Sequence, residues 1–102
     1  MSNTISGKGE DQERIAVLAN DADTLDRDRE LRLTALLDRL DALDPELVRS
    51  TIEVFGDRHR AARWLARSNR GLGGISAYRA LAKGQRQTVL DVLGRIEHGV
   101  FG

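Results

Sequence analysis

Pro45 is the only proline in the chain, and it divides everything around it. Proline has no N–H to give a helix interior, but it fits the first helical turn. Here it stands in Asp44-Pro45-Glu46, an order that supplies an N-cap, a first helical residue and an acid for the positive helix end. One helix must therefore stop before Asp44 and another must start at Pro45. Upstream, Leu31, Leu33, Leu36, Leu37, Leu40 and Leu43 repeat at the spacing of an amphipathic helix. Downstream, Leu47, Val48, Ile52 and Phe55 do the same, and Gly56 follows as a residue able to take the left-handed C′ conformation.

The same punctuation continues in both directions. Asp57 caps a helix from about Arg58 to Arg67, and the glycine-bearing segment 68–75 reads as a loop. Ser76 caps a short helix holding Tyr78 and Leu81, and Gly84 ends it. A last helix runs from about Gln85 to His98 with Val89, Val92, Leu93 and Ile96 on one face, and Gly99 stops it. Towards the N-terminus, Ile15, Leu18, Ala19, Ala22 and Leu25 repeat at helical spacing from Glu10 onward. The mixed-charge run Asp26-Arg27-Asp28-Arg29-Glu30 suits a solvated helical face or a break, of which the break is preferred, and residues 1–9, small and polar, read as disordered. No alternating strand pattern is present. The expectation is an all-α bundle of five to six helices without a sheet, divided into residues 1–9, a helical region 10–54 and a domain 55–102.

Composition excludes several function classes. Sixteen basic and sixteen acidic groups cancel, which gives no drive towards bulk nucleic acid or membranes. The balance is uneven along the chain: residues 1–30 carry net −4 and the remainder net +4. Without cysteine there is no disulfide or thiolate chemistry. No apolar run reaches the ~18 residues of a membrane span, and residues 1–10 hold no apolar signal core. A cytoplasmic protein is expected. His59 and His98 are the only histidines, and neither has a partner at metal-ligand or catalytic spacing. No enzyme activity, metal or cofactor is expected.

Four groups of residues are candidates for function. Trp64, the only tryptophan, shares an arc with Ala61 and Leu65, which suits core burial or a partner-facing anchor. Arg60, Arg63 and Arg67 form an adjacent stripe, flanked by Arg58 and Arg70. The stripe suits a solvated face, phosphate contact, or docking of an acidic surface, including the chain's own acidic N-terminal part. Asn69 opens the run Arg70-Gly71-Leu72-Gly73-Gly74, where it can cap the loop by side-chain hydrogen bonds. Finally, His98, Gly99, Val100, Phe101 and Gly102 end the chain in an apolar hook, which folds back on the core or a second subunit, or enters a partner's cleft.

One long stretch ties these together: Phe55-Gly56-Asp57, Ala61-Ala62-Arg63-Trp64-Leu65, Asn69, Leu72-Gly73-Gly74, Tyr78-Arg79-Ala80-Leu81, then Val89 through Phe101. This order and spacing resembles the C-terminal toxin-binding domain of the Xre/MbcA/ParS antitoxins. The chain departs from that family's usual pattern at Ser68, at Ala77 and in the loop Ala82-Lys83-Gly84-Gln85-Arg86. The resemblance implies an antitoxin that neutralises a RES-domain, NAD⁺-degrading toxin. On that view Val100, Phe101 and the terminal carboxylate block the toxin's pocket, and Trp64 with Arg60, Arg63 and Arg67 sets orientation. Asn69, His98, Gly99 and Gly102 complete the expected contact set. The leucine-rich helices would add a homodimer seam. Family members with a helix-turn-helix also bind operator DNA, but the helical region 10–54 ahead of the resembling stretch is too short and too acidic for a full unit of that kind. A DNA-binding autorepressor and a non-catalytic scaffold are the alternative readings.

Overall fold

In the computed structural model, described for residues 2–99 with side chains for 9–99, Asp44 and Pro45 do separate two helices. Helix α1 spans Ser2–Leu43 and α2 spans Pro45–Phe55. The Asp44 side chain accepts the Leu47 N–H at 3.2 Å, which closes the N-cap. Gly56 ends α2 at φ +87°, and its N–H donates to the Ile52 carbonyl. Asp57 then caps α3 (Arg58–Ala66) by accepting the Arg60 N–H at 2.7 Å. Ser76 caps the short α4 (Ala77–Ala82) through the Arg79 N–H. Helix α5 covers Arg86–Glu97.

The expected break at Asp26–Glu30 is not there: α1 is helical throughout that run. The run contains no glycine or proline, and its acids precede bases at helical spacing, as in Asp23 with Arg27 and Asp26 with Arg29. Charge alone does not interrupt a helix. The bounds of α1 also reach back to Ser2, into the stretch that composition reads as disordered; no proline there blocks propagation.

The chain divides into two compact units, residues 1–31 and 32–102. In the first, the side chains from Gly9 to Arg29 are all exposed, apolar ones included. In the second, Leu33 and Leu37 from the end of α1 join Leu47 and Val48 from α2, Leu65 from α3 and Val89 and Leu93 from α5 in one core. Among the described residues Thr51 is the one buried polar residue there, and its hydroxyl donates to the Leu47 carbonyl at 2.7 Å. The unit thus begins well before residue 55, because α2 packs on both α3 and α5. The leucine run is split by this packing. Leu33 and Leu37 face inward, whereas Leu36 and Leu43 remain exposed, Leu43 at 84%. Those six leucines therefore do not form a single outward seam.

One element is not helical. Ser68–Asn69 (β1) and Ile75–Ser76 (β2) pair as a two-residue antiparallel ribbon, with Ser68 opposite Ser76 and Asn69 opposite Ile75. Between them Arg70–Leu72 makes a single 3₁₀ turn. The ribbon closes the loop between α3 and α4 so that Leu72 is buried against the core.

Candidate functional site

Helix α3 has two unlike faces. Ala61, Ala62, Trp64 and Leu65 are buried, and Arg60, Arg63 and Arg67 are exposed in a stripe at i, i+3 and i+7. Trp64 is only 5% exposed, so it packs inside and is not itself the surface of a contact. Its ring lies 5.4 Å from that of Phe55, tilted by 35°, a favourable aromatic arrangement. Through this contact Trp64 positions Phe55, whose ring is half-buried at the end of α2.

Phe55 with Arg60, Arg63 and Arg67 lines an open depression of about 320 Å³. It combines an aromatic wall with three guanidinium groups, a set suited to carboxylates through forked hydrogen bonds and to apolar groups through the ring. Two of the arginines are braced by their own helix. Arg60 Nε lies 3.6 Å from Asp57, and Arg63 Nε donates to the His59 carbonyl at 3.3 Å. The Asp57 carboxyl is held below its ordinary pKa, first by the Arg60 backbone N–H and then by the Arg60 charge. Arg58, sequence neighbour of this stripe, has a different role. It reaches Asp38 at 2.5 Å and Asp41 at 3.9 Å, tying α3 to the end of α1. The acids it meets belong to the second unit, not to the acidic residues 1–30.

Asn69 belongs to its loop. Its Oδ1 accepts the Gly71 N–H at 2.8 Å, and its carbonyl accepts the Gly74 N–H at 2.8 Å. Gly73 and Gly74 turn the chain at φ +74° and +86°, which favours glycine. Gly71 serves another purpose: a Cβ there would sit 3.1 Å from a Val92 methyl. The glycine-rich run is thus a folding device that lets the loop lie against α5.

At the far end of α5, His98 is exposed and its N–H donates to the Gly94 carbonyl at 3.1 Å. Gly99 turns out of the helix at φ +72°. Val100, Phe101 and Gly102 lie outside the described residues. Of the candidates, then, the structure joins Arg60, Arg63 and Arg67 around Phe55, assigns Trp64 to their support, and engages Asn69 in its own loop. Phe55 escaped the sequence reading as a surface residue. The available signal was its place next to the Gly56 helix stop, five residues ahead of Arg60.

Among the described residues no group of three or more His, Cys, Asp or Glu side chains is placed to hold a metal ion. No helix there is long and apolar enough to cross a membrane. The Tyr78 hydroxyl is buried without a hydrogen-bond partner, and burial pushes its pKa up.

Comparison with known proteins gives one match. Residues 50–99 fit the family model of the antitoxin Xre/MbcA/ParS C-terminal toxin-binding domain. No curated protein and no solved structure matches the chain. The matched stretch begins inside α2 and takes in the arginine depression, the ribbon and all of α5.

Proposed function

From the match of residues 50–99 to the antitoxin Xre/MbcA/ParS C-terminal toxin-binding domain, we propose that this chain is the antitoxin of a type II toxin–antitoxin pair. Its partner is a RES-domain toxin that degrades NAD⁺. Neutralisation is by contact alone. The segment after Gly99, with apolar Val100 and Phe101, occupies the toxin's active-site cleft and excludes the dinucleotide, so the antitoxin supplies no chemistry. The protein acts in the cytoplasm, where NAD⁺ is drawn down, and as a homodimer.

The observation that carries this reading is the family match ending at the left-handed Gly99, which follows the end of α5 and its cap His98 and precedes two apolar residues. The depression at Phe55, Arg60, Arg63 and Arg67 supports a second, orienting contact. Exposed guanidinium groups around an aromatic side chain make the residue combination that dominates protein–protein hot spots. They fit a carboxylate-bearing surface on the toxin.

The test is co-expression of the adjacent gene's product in bacteria with the full chain, with a version ending at Gly99, or alone. Growth arrest and NAD⁺ loss from the neighbour alone, rescued only by the full chain, support occlusion of the cleft. Equal rescue by the shortened chain retains the antitoxin role and removes the occlusion mechanism. A neighbour harmless by itself removes the antitoxin reading. Reversing Arg60, Arg63 and Arg67 to glutamate should weaken rescue without unfolding the protein, because all three side chains are exposed.

A further inference from the structure

The first unit displays an apolar face that the described residues leave exposed. Ile15, Leu18 and Leu25 are 60%, 65% and 70% exposed, and Ala22 between them is exposed too. Their spacing is three, four and three residues, the a/d alternation of a coiled-coil seam. Carried one step outward, the seam meets Asp11 on one side and Arg29 on the other. Both are exposed, so the apolar block has an acid at its N-terminal end and a base at its C-terminal end.

This polarity selects an orientation. We infer that the Ile15–Leu18–Ala22–Leu25 face pairs antiparallel with the same face of a second copy of this chain. Centred on residue 20, that arrangement sets Ile15 against Leu25 of the second copy and Leu18 against its Ala22. It sets Asp11 against Arg29 of the second copy at both ends of the seam. Arg14, which reaches Asp11 at 3.2 Å within its own helix, would be flanked by Asp28 of the second copy. A parallel pair in register would instead align Asp11 with Asp11, Arg29 with Arg29, and Asp21 beside Asp26. Like charges would then meet at each end and along the flank, a cost that the antiparallel pair reduces to Asp21 facing Asp21. The single coiled-coil seam also explains why Ala22 is tolerated: in the antiparallel pair it faces Leu18, large against small.

This inference specifies the homodimer named above and does not depend on which toxin is bound. It is tested on the isolated full chain. Light scattering at tens of micromolar should give twice the 11.3 kDa chain mass, and the double substitution Leu18→Glu, Leu25→Glu should reduce it to one chain. Because both side chains are exposed and lie outside the core, circular dichroism should show that residues 32–102 remain folded. Orientation is read by cysteine linkage, which has no background in a chain without cysteine. Ile15→Cys mixed with Leu25→Cys should form a disulfide-linked pair, and Ile15→Cys alone should not. A one-chain mass for the unsubstituted protein overturns the inference. So does a dimer that survives the glutamates, or efficient self-linkage of Ile15→Cys. None of these outcomes bears on neutralisation, which is read separately from growth and NAD⁺.

Discussion

Arg86 donates from Nε to Asp44 Oδ2 at 2.7 Å and from Nη2 to Asp44 Oδ1 at 3.2 Å, across 42 residues of sequence. The same Asp44 carboxylate caps α2 through the Leu47 N–H. One side chain thereby fixes the start of α2 and holds the start of α5 beside it. Arg86 also lies 3.8 Å from Glu46. Replacing Asp44 by alanine removes the cap and the pair together, and should lower the urea-unfolding free energy by at least the ~1 kcal/mol of a lost N-cap. Asp44→Asn keeps a capping oxygen but loses the charge, so its loss relative to the unsubstituted protein reports the charged pair with Arg86, and the further loss in Asp44→Ala reports the cap.

Acid should weaken the fold through two named carboxylates. The Arg86 hydrogen bond is the first cause holding Asp44 below its ordinary pKa, and the Arg60 backbone N–H does the same for Asp57. Groups with depressed folded pKa values bind fewer protons folded than unfolded, so their contribution is complete above the unfolded value of about 3.9. It is lost as pH falls through the folded values. Urea midpoints should hold level down to about pH 5 and then fall, and Asp44→Asn with Asp57→Asn should flatten that fall. An unchanged acid limb in the double variant would assign it to other carboxylates.

Gly71→Ala tests the contact between loop and helix. The added methyl would lie 3.1 Å from Val92 Cγ2 and 3.2 Å from Asn69 Oδ1. Overpacking of this kind costs about 1–3 kcal/mol, and unfolding measurements should place this substitution in that range. Val92→Ala should offset part of the loss when the two are combined, a coupling that would be missing if the cost lay in the backbone.

Tyr78→Phe should leave the melting temperature unchanged or raise it. A buried hydroxyl without a partner carries a desolvation cost that phenylalanine lacks, worth about 1 kcal/mol, and the ring's packing against the core is retained. Destabilisation by more than that would mean the hydroxyl is satisfied in solution.

The parts of the fold legible in the sequence are those written in single residues with a strong local meaning. Pro45, Gly56, Asp57, Ser76 and Gly99 each mark a boundary where the structure has one. The ribbon was illegible because two-residue strands carry no period. The run 26–30 holds no proline or glycine, and charge density without either does not mark a helix boundary. At the candidate site, helical spacing grouped Arg58 with its neighbours on α3, but spacing does not show which arginine finds an acid. Asp38 lies 20 residues away in sequence and holds Arg58. Likewise the arc of Trp64 suits core or contact, and its burial, at 5% exposure with Phe55 packed against its ring, places it in the core.

Leu33, Leu37, Leu47 and Val48 all precede residue 50, yet they fill the interior against which α3 and α5 rest. The segment that matches the family model is therefore not portable by its own boundaries. Grafted onto another protein from residue 50, it would present its inner face to water and lack Asp44 as the anchor for Arg86. Transferred from Arg32 onward, it carries that interior with it. Any recombination that hands the matched segment to a new N-terminal partner must move the last part of α1 as well, so the unit that folds is longer than the unit that the family pattern marks.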